Sequence, residues 1–145
     1  MKIVIEELQE GEEEQIILRC HQISPEQMNL LNAFKSGDNV LIGYQDNEIR
    51  RVNKEEIFYI DTVDNRVFLY CENNVVESKQ KLYELEEVLG TKDFLRISKS
   101  TIINMSKIKT LAPAFSGRLE ATLNNGEKVI ISRQYVSVLK KNLGI

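Results

Sequence analysis

Cys20, His21 and Cys71 are the side chains of this 145-residue chain with the chemistry of a nucleophile or a soft metal ligand. An imidazole-activated thiol needs the two groups to converge. Cys20 and His21 are adjacent, so on a strand they would face opposite sides of a sheet. Both cysteines end apolar runs, IILRC and VFLYC, where a thiol serves as a small buried hydrophobe. Neither belongs to a CxxC pair. One histidine and two distant cysteines make no metal-ligand set, and Glu12, Glu13 and Glu14 read as a solvated turn. The glycines never gather into a phosphate-binding loop. The expectation is a protein with no catalytic residues, no metal and no cofactor.

Charge is the second kind of chemistry on offer. Ten Lys and Arg face three Asp and Glu between Lys92 and Ile145, a local net charge of about +7. The remaining 91 residues carry 9 basic and 19 acidic side chains. A mildly acidic chain has placed its spare positive charge in one third, which points to an anionic partner such as nucleic acid. No apolar run approaches the ~20 residues of a membrane helix, and MKIVIEELQEGEEE lacks the features of a secretory signal. The chain therefore reads as cytoplasmic and not membrane-inserted.

These groups need elements to hold them. Lys2 to Leu8 and Gln15 to Cys20 are β-branched and flank a polar turn, so the spacing predicts a hairpin. Ser24-Pro25-Glu26-Gln27 has the form of a helix start, with Met28, Leu31 and Phe34 at helical spacing and Gly37 as the stop. Residues 1–39 thus read as a small β-β-α unit, net acidic. From Val40 the texture changes to short apolar runs closed by polar turns: VLIGY, EIRRV, IFYIDTV, RVFLYCE and VVES. That pattern predicts an antiparallel sheet. Lys79 to Leu89 is a helix with an apolar stripe and Gly90 as its stop. Strands follow at Phe94–Ile97, Thr101–Met105, Ile108–Phe115, Arg118–Leu123 and Glu127–Ile131. Asn124-Asn125-Gly126 suits a type I′ hairpin turn. Ser132 would cap a last helix with Tyr135, Val136 and Leu139 as its apolar face. The expected class is mainly β (α+β by content), with a second domain at 40–145.

The run FLRISKSTIINMSKIKTLAPAFSGRLEATLNNGEKVIISRQYVSVLKK resembles the LytTR family of bacterial DNA-binding domains. The matching residues are Phe94, Arg96, Ser98-Lys99-Ser100, Ile103-Asn104, Ile108, Asn125-Gly126-Glu127 and Ser132-Arg133-Gln134-Tyr135. Upstream, Glu55 to Cys71 is similar to the family's I-x-Y-I-E-A-x-x-N-Y-V segment. The resemblance covers about Val40 to Leu143. It implies an elongated antiparallel β-sheet domain with short helices, whose inter-strand loops enter the grooves of duplex DNA.

The resemblance carries contacts to three places: the turn Asp64-Asn65-Arg66, the turn Ser98-Lys99-Ser100, and Arg133 followed by Gln134. Either Asn65 or Arg66 would be the contact in the first turn. The family often has His and then Arg or Asn where Ser98 and Lys99 stand here. Lys99 lacks the planar fork of arginine, so it would position the protein more than specify a base. Arg118, beside the Gly117 turn, is a candidate phosphate contact. Lys107, Lys109 and Lys128 would add a diffuse field, and Arg96 reads as half of a sheet-face ion pair.

The function expected is a bacterial transcriptional regulator that binds duplex DNA sequence-specifically. The resemblance further implies a promoter direct repeat occupied by two copies, hence a homodimer at least on DNA, and a membrane-protein partner that restrains it. The competing reading is a protein–protein interaction module whose basic third binds nucleic acid without specificity.

Overall fold

The computed structural model describes residues 2–36 and 39–145, the side chains of 31–36 excepted. The chain divides into two compact units, Met1–Gly37 and Asp38–Ile145.

The first unit is built on helix α1 (Pro25–Ser36). Its start is a reciprocal cap. Ser24 N–H donates to Gln27 Oε1 at 3.0 Å, and Gln27 N–H donates to Ser24 Oγ at 3.2 Å. The expected stop at Gly37 and the side chains of Leu31 and Phe34 lie outside the described residues. The two strands expected at Lys2–Leu8 and Gln15–Cys20 are a correction: neither segment pairs. Only the turn between them forms, where Gly11 has φ 92° and Glu12 N–H donates to Gln9 O. The reason is burial. Ile3, Val4, Ile5, Ile16 and Ile17 all stay exposed, and an isolated two-stranded ribbon with no apolar face to cover is marginal in water. Cys20 is exposed too, contrary to its expected role as a buried hydrophobe.

The second unit opens with strands β1 (Val40–Gln45), β2 (Glu48–Asn53), β3 (Ile57–Val63), β4 (Arg66–Cys71) and β5 (Val75–Ser78). Helix α2 (Leu82–Leu89) follows, then β6 (Phe94–Arg96) and β7 (Thr101–Asn104). These strands form one seven-stranded sheet in the order β2-β1-β5-β4-β3-β7-β6, antiparallel throughout. Strands β8 (Ile108–Pro113), β9 (Leu119–Leu123) and β10 (Lys128–Ile131) form a second, three-stranded sheet, and helix α3 (Arg133–Leu143) closes the chain.

Two cores sit on opposite faces of the large sheet's β3-β7-β6 side. Leu82, Leu85 and Leu89 of α2 pack into the first with Ile57, Ile60, Leu69, Phe94 and Ile102. The second joins Phe58, Ile97 and Ile103 to Leu119, Ala121, Leu123, Ile131 and Leu139, uniting the small sheet and α3. Adjacent residues therefore divide between the cores: Phe94 from Leu95, Ile102 from Ile103. On β3 strict alternation would put Ile57 and Ile60 on opposite faces, yet both lie in the first core. A register shift between Ile57 and Tyr59 resets the alternation. Asn104, buried, then donates its Nδ2 to the Ile57 carbonyl at 2.9 Å and accepts Ser106 N–H and Oγ–H.

Turn chemistry places the strand ends. Asp64 and Asn65 take φ 52° and 60°, the paired left-handed conformation of a type I′ hairpin, and Asp46-Asn47 does the same. The turn at Asn124-Asn125-Gly126 is a correction. Only Gly126 is left-handed (φ 88°), and the bond from Leu123 N–H to Glu127 O encloses a three-residue loop. Asn125 Oδ1 instead accepts Glu127 N–H, and the left-handed requirement falls on glycine alone. Helix α2 begins at Leu82 rather than near Lys79, because Ser78 Oγ accepts Gln80 N–H in a preceding turn.

Candidate nucleic-acid interface

Strand direction brings three of the predicted segments to one end of the second unit. β3 runs antiparallel to both β4 and β7, with Val63 opposite Arg66 and Asp61 opposite Thr101. The β3–β4 turn carrying Asn65 and the β6–β7 turn carrying Lys99 therefore leave the sheet at the same end. Thr62 N–H donates to Ser100 O at 2.9 Å, and Thr101 Oγ1 donates to Asp61 Oδ1 at 2.9 Å, tying the turns together.

The β6–β7 turn is dense with internal bonds. Ile97 N–H reaches Thr101 O at 3.0 Å, Ser100 N–H reaches Ser98 Oγ at 3.2 Å, and the Ser98 and Ser100 hydroxyls lie 3.4 Å apart. Ser98 and Ser100 are half-buried; Lys99 projects outward. From the same turn, Ile97 O accepts Ser132 N–H at 2.9 Å. That bond seats the start of α3, and with it the exposed Arg133 and Gln134, beside Lys99. Ser132 occupies the cap position, but its hydroxyl makes no capping bond.

Arg118 joins from the small sheet. Ala114 N–H donates to Arg118 O at 2.9 Å across the β8–β9 turn. Gly117 (φ 75°) lies so close to Arg133 that a Cβ there would stand 3.1 Å from Arg133 Cδ. The Arg118 turn is thus packed on the stem of Arg133.

The cations of the basic third differ in how free they are. Among the described residues Lys99, Arg118 and Arg133 enter no ion pair. Lys128 pairs with Glu120 at 3.6 Å, and Lys107 sits over the Phe58 ring at 5.1 Å. Arg66 is the most committed: Nε and Nη2 grip Glu77 Oε1 and Oε2 at 3.1 and 2.7 Å, and its guanidinium lies 5.3 Å from the Phe68 ring centre. The hydrogen bonds and charge of Glu77 hold Arg66 above its ordinary pKa, and those from Arg66 hold the Glu77 carboxyl below the usual carboxylate range. Asn65, at the tip of the same turn, is exposed, and its side chain makes no hydrogen bond among the described residues.

Other motif residues are scaffold. Tyr59 stacks on Tyr70, centroids 4.4 Å apart, and burial together with the Glu127 carboxylate keeps the Tyr59 phenol well above its normal range. Glu127 of the Asn-Gly-Glu motif thus faces a core tyrosine. The sequence missed the Arg66–Glu77 grip and a link from Arg96 to the Lys99 carbonyl at 2.6 Å, because both depend on cross-strand or turn geometry.

One end of the sheet thus gathers cationic and amide side chains on short turns and at the start of α3, an arrangement suited to an anionic partner. The family model described as "LytTr DNA-binding domain" matches residues 47–144. The chain belongs to the LytTR DNA-binding domain family. It is similar to an uncharacterized HTH-type transcriptional regulator of Staphylococcus aureus (strain NCTC 8325 / PS 47), 29% identical over 135 residues that span 92% of this chain and 91% of that one. It also resembles the sensory transduction protein LytT of Enterococcus faecalis (strain ATCC 700802 / V583), 29% identical over 100 residues, 69% of this chain and 41% of LytT. Among solved structures, the LytTr DNA-binding domain of a putative methyl-accepting/DNA response regulator from Bacillus cereus matches with TM-score 0.70. The two are 26% identical, and the match covers 73% of this chain and 97% of that one. The "HTH" in the staphylococcal name has no counterpart among the described residues. Strand β1 follows α1, α2 lies between β5 and β6, and α3 follows β10, so no two described helices adjoin.

Proposed function

We propose that the protein is a transcriptional regulator that reads duplex DNA sequence-specifically through the end of the sheet where Asn65, Ser98, Lys99, Ser100, Arg118, Arg133 and Gln134 gather. The observation that carries the proposal is the bond from Ser132 N–H to Ile97 O, which puts the exposed Arg133 beside the Lys99 turn. Arginine matches guanine O6 and N7 with its fork, asparagine matches adenine N6 and N7, and lysine and hydroxyls meet phosphate. Of the first turn's two candidates, the grip on Glu77 disfavours Arg66 and favours Asn65. The positive end of α3 adds to the pull on phosphate.

On this reading the protein works in the cytoplasm, has no catalytic role, and occupies a direct repeat as two copies. Selection from random duplex DNA at moderate salt tests it directly: an enriched sequence is expected. Arg133→Ala should then lower affinity for that sequence by about 1–3 kcal/mol and relax the preference at one base position. A folded Arg133→Ala protein with unchanged binding would remove Arg133 from the interface.

We also propose that residues 1–39 form a separate regulatory or dimerisation unit. Its support is that the staphylococcal relative matches along 135 residues, whereas LytT matches over 100.

A further inference from the structure

Arg96 makes contacts that DNA reading, as described above, does not use. It lies on β6 with its side chain about one-fifth exposed (21%). Its Nε donates to Glu86 Oε2 at 2.8 Å, and its Nη1 donates to the Lys99 carbonyl at 2.6 Å. One planar group therefore runs from helix α2 to the apex of the β6–β7 turn. The helix end is firm, because Leu82, Leu85 and Leu89 are buried in the first core. The turn end is a backbone oxygen that none of the turn's own bonds engages, since Ile97 N–H takes Thr101 O and Ser100 N–H takes Ser98 Oγ. The next carbonyl, Ser100 O, is held from the other side by Thr62 N–H. Two successive carbonyls are thus fixed by separate elements, and with them the peptide planes that aim Lys99 and Ser100.

We propose that Glu86 and Arg96 form a strut that presets the Lys99 turn for the groove, so that Arg96 is a positioning residue and does not touch DNA. Residues that arrive already ordered lose less freedom on binding, and a fixed backbone holds each side chain to one register. An ion pair serving stability alone would need no second contact on the turn backbone. The arginine fork is what allows both contacts at once; a lysine ammonium at this position lacks that geometry. The inference rests on the DNA-reading proposal.

The test uses the full chain with Arg96→Gln, and with Glu86→Gln as a second variant that keeps the arginine and alters only an exposed helix position. Arg96→Gln should lose about tenfold in the ratio of specific to non-specific affinity, 1.4 kcal/mol at 25 °C. With Lys99→Ala already in place, Arg96→Gln should leave the slope of log affinity against log salt unchanged, because Arg96 itself holds no phosphate. Glu86→Gln should move the ratio in the same direction. In a Lys99→Ala background Arg96→Gln should cause no further loss, as expected of a residue acting through the other. Without DNA, the amides of Lys99 and Ser100 should exchange hydrogen faster in Arg96→Gln than in wild type. In the Lys99→Ala background, a salt slope shallower by about one further charge would make Arg96 a direct phosphate contact and overturn the proposal. Additive losses with Lys99→Ala, or unchanged exchange at Lys99 and Ser100, would overturn it as well. Should wild type enrich no sequence, the DNA-reading proposal fails, and exchange in the free protein still decides whether the strut orders the turn.

Discussion

Arg66 holds Glu77 through two nitrogens of its guanidinium, so replacing it with alanine removes an intramolecular grip and leaves the outward-facing amide of Asn65 in place. Asn65→Gly does the reverse, because glycine keeps the left-handed backbone while deleting the amide. We expect Asn65→Gly to weaken specific DNA binding by about 1–3 kcal/mol and Arg66→Ala to have a much smaller effect. Equilibrium titrations on the selected sequence compare the two. Because the Glu77 carboxyl titrates below its ordinary range, the grip's contribution to stability is present above the unfolded carboxyl's pKa. It is lost as pH falls through the lowered folded value, so DNA binding near neutrality should not titrate with it. The cysteines separate as clearly. Burial, and then the charge of Glu56, push the Cys71 thiol up to about 11, whereas Cys20 is exposed. Thiolate is the reactive form, so iodoacetamide at pH 8 should label Cys20 faster than the half-buried Cys71 in the native protein, the difference closing on unfolding. Equal labelling rates would contradict the burial of Cys71.

The strand and helix pattern shows which element properties a sequence carries. Short apolar runs closed by polar turns located β1 to β5, the alternation at Phe94–Ile97 located β6, and the leucine stripe located α2, because each is a local regularity. The shift within β3 left no such trace, since Ile57, Phe58, Tyr59 and Ile60 read as one apolar run on either side of it. Its signature is Asn104, a motif residue whose buried amide bonds the Ile57 carbonyl left outside the regular ladder. Asn104→Ala should therefore leave that carbonyl and Ser106 without partners and destabilise the protein by about 1–3 kcal/mol in urea unfolding. The N-terminal segments fail in the opposite sense. Their composition favours strands, but strand formation needs a third strand or a core to cover one face, and composition cannot supply that. The turns proposed to face DNA could be picked out through family motifs. Which of their cations are free could not be, because Glu77 lies eleven residues from Arg66 and meets it only through the register of β4 on β5.

At the scale of the whole molecule, the division at residue 37 separates an acidic unit from one that holds both cores. A protein of residues 39–145 should fold and bind a single half-site of the selected sequence with the affinity of the full chain. If the first unit dimerises, light scattering should give a dimer for the full chain and a monomer for the truncated one; two monomers would end the dimerisation reading. No described helix is long and apolar enough to cross a membrane.

The second core is closed by Leu139, and Arg133 is seated by the bond of Ser132 to Ile97, so both depend on the last fifteen residues. Synthesis runs from the N-terminus, and Asn65 and Lys99 leave the ribosome well before α3 does. The nascent chain therefore carries the Asn65 and Lys99 turns before the helix that seats Arg133 beside them. A chain stalled or clipped before Ser132 would keep the first core and much of the large sheet, yet lack Arg133 and the Leu139 side of the second core. Such a chain should thus hold part of its fold while exposing the apolar surface that Leu139 covers.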